Sequence, residues 1–225
     1  YLELNFFPQL RGIVLEVCYP ESFPKLNQMV IQPTIPNERK DIVSIDKIMK
    51  LYPEMRFMLN DEQITAIVCA LENQDFTLIL GFPGTGKTTT IACLLILLDK
   101  MKKKVLISSY TNSALDNILL RVKKLGAHFY RIGTSSFDSG GKLKDHEFPK
   151  NLTTIDEIAR TIKATNIYGC TCLGSKDQLL MKIPFDYVIV DEAAYVIEPI
   201  CLMPLRLAPR FVLVGDHYQL KPLIK

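Results

Sequence analysis

From about residue 57 onward, short apolar runs alternate with longer stretches whose apolar residues recur every three or four positions. The short runs suit strands and the longer stretches suit amphipathic helices. The pattern predicts a helix from about Asp61 to Glu72, a buried strand Phe76 to Leu80, and a helix from Thr89 to about Met101. A strand Lys104 to Ser109 and a helix near Ser113 to Leu125 follow, then a short strand Phe129 to Ile132. Further on it predicts a helix Thr153 to Thr165 and strands at Tyr168 to Leu173, Tyr187 to Val190 and Phe211 to Val214. A short, proline-broken helix is expected from Glu192 to Cys201. Such alternation predicts an α/β domain with a doubly wound, mostly parallel sheet.

Residues 1–56 differ. Gly12 to Cys18 and Gln28 to Gln32 look strand-like, and prolines at 8, 20, 24, 33, 36 and 53 interrupt them. This region is expected to be a β-containing appendage or the remnant of an upstream domain, or else a linker packed on the main body, with residues 57–225 as the main domain. Gly133 to Asn151 is rich in Gly, Ser, Asp and Lys, and is expected to be an exposed, mobile insertion. The chain carries no internal repeat.

Chemistry enters at Gly81-Phe82-Pro83-Gly84-Thr85-Gly86-Lys87-Thr88, which fits the phosphate-cradling pattern G-x-x-x-x-G-K-[ST] at every fixed position. Its glycines let backbone N–H groups approach phosphate oxygens, and the helix that begins there adds the positive end of its dipole. Lys87 is placed to reach the outer phosphates and the Thr88 hydroxyl to sit on Mg²⁺, with Thr89 next on the same turn. The implied ligands are ATP and Mg²⁺.

Tyr187 to Val190 is an apolar run ending in Asp191-Glu192. After a phosphate loop, such a pair supplies a metal carboxylate (Asp191) and a general base for water (Glu192). The alternative is a pair of acids at a helix N-terminus. Gly215-Asp216-His217-Tyr218-Gln219-Leu220 follows the last strand, at the strand end where open α/β sheets bind ligands. The Gln219 amide suits a γ-phosphate contact; a polar turn explains the same residues. Asn60-Asp61-Glu62-Gln63 resembles a helix capping box, and Gln63 equally suits the adenine edge. Ser109-Tyr110-Thr111-Asn112-Ser113 suits either a nucleic-acid backbone contact, with Tyr110 stacking on a base, or a helix N-cap.

Bulk properties narrow little further. The chain has 225 residues, 48% hydrophobic and 23% charged, and a net charge of +3 that neither requires nor excludes a nucleic-acid partner. The longest apolar run, Ile91 to Leu98, is far short of the ~20 residues a bilayer span needs, so no membrane role is expected. Six cysteines without a C-x-x-C pair read as buried, reduced thiols in a reducing compartment. The first residue is Tyr rather than Met, as in an excised fragment.

Taken in order, Gln63, the loop at Gly81 to Thr88, Ser109 to Leu119 (SYTNSALDNIL), Tyr168 to Gly174 (YGCTCLG), Asp191-Glu192-Ala193 and Gly215 to Leu220 (GDHYQL) resemble motifs Q, I, Ia, Ic, II and III of superfamily 1 helicases. The likeness covers about residues 57–225. It is to the 5′-to-3′ branch that contains the nonsense-mediated-decay helicase, and within it to the helicase half of the replication nuclease-helicases that process Okazaki-fragment flaps. The resemblance implies a RecA-like domain that drives translocation on single-stranded nucleic acid, DNA favoured over RNA. It implies that Lys87, Glu192 and Gln219 are catalytic and that Thr88 and Asp191 hold the metal. Ser109, Tyr110, Thr111, Asn112, Thr171 and Cys172 would touch the strand.

The resemblance also implies a second RecA-like domain, not found in this chain, whose arginines complete the site. The chain alone is then expected to bind nucleotide and hydrolyse it very slowly. A nuclease domain upstream and a nuclear location, with the cytoplasm as alternative, are expected on the same ground. Tyr195 departs from the Gln usual in this branch, and Lys221 from a common Pro. An RNA helicase of the branch and a P-loop kinase are the competing expectations.

Overall fold

The computed structural model describes residues 11–12, 14, 17, 24–31, 45–73, 75–133, 141–149, 151–216 and 218. Six strands form one sheet: β1 (Phe76–Leu80), β2 (Val105–Ser109), β3 (Phe129–Arg131), β4 (Ile167–Thr171), β5 (Tyr187–Asp191) and β6 (Phe211–Gly215). Their order is β1-β6-β5-β2-β4-β3, and every pairing is parallel. The expected doubly wound α/β architecture is therefore present. It places the ends of all six strands, and the loops that follow them, along one edge.

Side chains alternate across the strands and split the core into two layers. Val105 and Ile107 of β2, Tyr187 and Ile189 of β5, and Val212 and Val214 of β6 share one cluster with the helix Lys87–Lys100. The helices Asp61–Glu72 and Asn112–Lys124 pack in that layer. Leu106, Tyr168, Cys170, Val188 and Val190 point to the other face, where the helix Glu198–Leu205 covers them. The helix Lys87–Lys100 is buried from Thr90 to Leu98 without a break, because it lies between the sheet and its neighbouring helices.

Several expectations are corrected. The N-terminal region is not β-containing where it is described: residues 12, 14 and 17 are helical, and Pro24–Ile31 is a helix. The apolar run Met29-Val30-Ile31 suggested a strand, but Leu26, Met29 and Val30 have helical spacing and pack on the second layer. Ile48, Tyr52 and Met55 are buried against the first layer, so this part is packed on the main body.

β1 is an edge strand rather than a buried one. Leu78 and Leu80 are 59% and 67% exposed, while Thr77 is buried on the opposite face. In the segment expected to be an exposed insertion, Leu143 is fully buried and His146 stacks on Phe129 at 4.2 Å. The expected helix from Glu192 to Cys201 is instead a 3₁₀ turn Ala193–Tyr195 followed by a helix Glu198–Leu205, with Pro199 in its first turn.

Candidate nucleotide and strand-binding site

β1 leads directly into the loop at residues 81–86, and a helix starts at Lys87. The loop is closed from within. Thr85 Oγ1 donates to the Phe82 carbonyl at 2.8 Å, and Gly81 N donates to the carbonyl of Gly215 at 3.0 Å. Two glycines are closely hemmed in by side chains. A Cβ on Gly81 would stand 2.8 Å from Thr85 Oγ1, and Gly86 has φ +82° with its Cβ position 2.6 Å from Gln63 Nε2. The Lys87 ammonium donates to the carbonyls of Gly81 and Phe82, which leaves one of its three protons for a ligand. The first N–H groups of the helix have no acceptor within it, so an anion at this turn meets donors and the helix dipole together.

Gln63 forms the expected capping box in full: Asn60 N donates to Gln63 Oε1 at 3.0 Å, and Gln63 N donates to Asn60 Oδ1 at 2.9 Å. Its Nε2 also donates to the Thr85 carbonyl at 2.7 Å. One amide hydrogen and one oxygen lone pair remain for a base edge. The side chain lines a cleft of about 360 Å³ between Asn60, Ile79 and Phe82.

Asp191 ends β5 on the face that carries the phosphate-loop helix. It is buried, and burial pushes its carboxyl up to about 6, opposed by a hydrogen bond from the Glu192 backbone, helped by the Glu192 carboxylate and opposed again by the Lys87 ammonium. Asp191 Oδ1 finds no hydrogen-bond partner among the described residues. A buried, unpartnered carboxylate oxygen beside a phosphate loop fits a divalent cation. Among the described residues no three His, Cys, Asp or Glu side chains gather into a metal cage.

Glu192 is exposed and has φ +56°, a left-handed conformation costly for a residue with a Cβ. Gly215 lies against this turn: a Cβ there would be 3.1 Å from Ala194 N. Beyond it, Asp216 is buried and accepts from Tyr218 N at 3.0 Å. Tyr218 stacks on Phe82 of the phosphate loop at 5.6 Å. Gln219, Leu220 and Lys221 lie outside the described residues, as does His217.

The residues expected to touch a nucleic-acid strand divide into two sets. Tyr110, Thr111 and Asn112 are exposed at the end of β2, and Thr171 is half-buried at the end of β4. Thr111 is also the N-cap of the helix Asn112–Lys124, accepting from Ala114 N at 3.2 Å. Ser109 and Cys172, by contrast, are fully buried, so their side chains present nothing to a strand on the surface. Their position at the strand ends was legible, but the direction of each side chain was not.

Sequence reasoning missed the group that shapes this surface. Arg131, at the end of β3, is paired with Asp116 at 3.0 Å, and both side chains are almost wholly buried. It also donates to the Ile132 carbonyl at 2.7 Å and to Asn112 Oδ1 at 2.5 Å. A cavity of about 350 Å³ opens beside it, lined by Asn112, Arg131, Thr171, Gly174 and Lys176. The signal was an arginine inside an otherwise apolar strand, Phe129-Tyr130-Arg131.

Comparisons with known proteins fit this geometry. A family described as AAA domain matches residues 58–155 and 142–225. The chain is 38% identical over 224 residues to the DNA replication ATP-dependent helicase/nuclease dna2 of Schizosaccharomyces pombe, covering 96% of this chain and 15% of that protein. It is 36% identical over 220 residues to DNA replication ATP-dependent helicase/nuclease DNA2 of Homo sapiens, covering 96% of this chain and 19% of that one. The chain thus spans less than a quarter of the length of either relative. Among solved structures, a nuclease-deletion mutant of the Type ISP restriction-modification enzyme LlaGI, in complex with a DNA substrate mimic, shares the fold. That likeness has a TM-score of 0.53 at 21% identity, over 70% of this chain and 17% of that one.

Proposed function

Since the chain belongs to the AAA-domain family and carries the motif order of superfamily 1 helicases, we propose that it is the ATP-binding first motor domain of an ATP-dependent DNA helicase acting in replication and repair. Its work is in the nucleus, and in the full-length protein hydrolysis drives movement along single-stranded DNA. The observation that carries this proposal is that Asp191, with its unpartnered oxygen, feels the Lys87 ammonium of the phosphate loop across the sheet edge, the ends of β5 and β1 being separated only by β6.

Each residue has a part. The loop N–H groups and Lys87 bind the β- and γ-phosphates, and exchanging two carbonyl partners for phosphate oxygens frees the Lys87 ammonium for them. Thr88 and Asp191 would hold Mg²⁺, whose chemistry there would be to neutralise charge on the phosphates. Glu192 orients and deprotonates the attacking water. Gln63 fixes the base side of the nucleotide, and Gln219 contacts the γ-phosphate. Tyr110, Thr111, Asn112 and Thr171 take the strand, Tyr110 by stacking and the others through phosphate.

ATPase assays of the full-length protein test this, with single-stranded DNA, single-stranded RNA or no polymer. Stimulation by DNA above RNA supports the proposal. Equal or greater stimulation by RNA moves the substrate to RNA, and turnover indifferent to both polymers overturns a motor role in favour of a P-loop kinase.

A further inference from the structure

Ser109 closes β2, and its hydroxyl is 0% exposed yet has no hydrogen-bond partner among the described residues. Its register neighbour across the β2–β5 ladder is Asp191, whose Oδ1 is unpartnered in the same sense. Val105 and Ile107 belong to the first core layer, as do Tyr187 and Ile189. By alternation, Ser109 and Asp191 point to that same face, where the phosphate-loop helix packs.

Ser108 is the contrast. It faces the opposite layer, and its hydroxyl donates to the Cys170 carbonyl at 3.0 Å with Cys172 Sγ at 3.6 Å. That serine is a satisfied part of the core. Ser109 is not, although an unsatisfied buried polar group costs about 1–3 kcal/mol. Two such groups on neighbouring strands, about 4.8 Å apart along the ladder, are explained together by one shared polar ligand.

We propose that Ser109 is a positioning residue of the metal site, whose hydroxyl holds a water in the shell of the divalent cation that Asp191 faces. This rests on the nucleotide-site reading above and extends it to a residue expected to touch the nucleic-acid strand. Ser109 also ties the site to that surface. Its carbonyl accepts from Cys172 N at 2.9 Å, and Tyr110 and Thr111 follow it in the chain. The hydroxyl therefore stands on one strand end with the metal carboxylate on one side and Thr171 on the other.

The test is titration of the full-length protein with a fluorescent ADP analogue, with and without Mg²⁺, so that the readout is the metal's enhancement of binding. Ser109→Ala should leave the metal-free Kd unchanged and reduce the Mg²⁺ enhancement about tenfold, as loss of an outer-shell partner does. Ser109→Cys, which keeps the volume but is a weak donor, should behave like the alanine variant. Full Mg²⁺ enhancement in both variants overturns the role of Ser109 and leaves the nucleotide site standing. Failure of the unsubstituted protein to bind the analogue overturns both.

Discussion

Gln63 Nε2 donates to the Thr85 carbonyl at 2.7 Å, so a helix-capping residue also braces the phosphate loop. The two duties separate by substitution. Gln63→Glu keeps the capping box, which accepts Glu as well as Gln, but sets a carboxylate against the Thr85 carbonyl. Thermal stability should stay within about 0.5 kcal/mol, while nucleotide affinity falls about tenfold, roughly 1.4 kcal/mol. Melting curves and nucleotide titrations on the same preparation read both, and unchanged affinity would sink the bracing role.

Glu192 combines a left-handed backbone at φ +56° with the proposed role of general base. Glu192→Gly should stabilise the fold by about 0.5–1 kcal/mol, because glycine relieves the strain but loses more chain entropy. Turnover should nonetheless collapse. Glu192→Gln should retain nucleotide binding and lower the ATPase rate about 10²–10⁴-fold. A Gln variant that hydrolyses ATP at the native rate would exclude Glu192 as the base.

Removing Arg131 withdraws the guanidinium from Asp116 inside the core. Arg131→Leu should cost about 3–5 kcal/mol, and replacing Asp116 with Leu as well should recover much of it. Denaturant unfolding measures both. The single variant should also weaken strand binding, since Asn112 loses the partner that fixes it. Additive costs in the two single variants and the double one would mean that the pair is not coupled.

His146 gives stability a pH dependence of definite sign. Burial against Phe129 holds its imidazole below the usual histidine range, aided by Lys123 and His128 and opposed by its bond to the Phe129 carbonyl and by Asp145. A group whose folded pKa is depressed contributes stability above its unfolded value, about 6.5, and loses it as pH falls through the folded one. Unfolding free energy should therefore decline below about pH 6.5, and His146→Asn should flatten that part of the slope. An identical slope in the variant would assign the loss to other groups.

The chemistry-bearing loops were legible because phosphate binding demands glycines, a lysine and acids at fixed spacing after apolar strands. All six predicted strands of the main body formed within two residues of expectation at each end. Facing was less legible. Ser109 and Tyr110 are neighbours in one polar stretch, yet one is buried beside Asp191 and the other is exposed, a difference that only the sheet register decides. Composition also misled at Met29-Val30-Ile31, where tertiary packing of a helical stripe overrode β-branched content. The apolar run before the loop showed a strand but not that it would be the sheet's edge.

The hydrogen bond from Gly81 N to the Gly215 carbonyl gives these two loops a common fate in time. The Gly81 amide exchanges its hydrogen with solvent when the end of β6 lets go, so the phosphate loop and the end of β6 open together. In deuterium exchange, a nucleotide held by the phosphate loop should therefore also slow labelling at the end of β6.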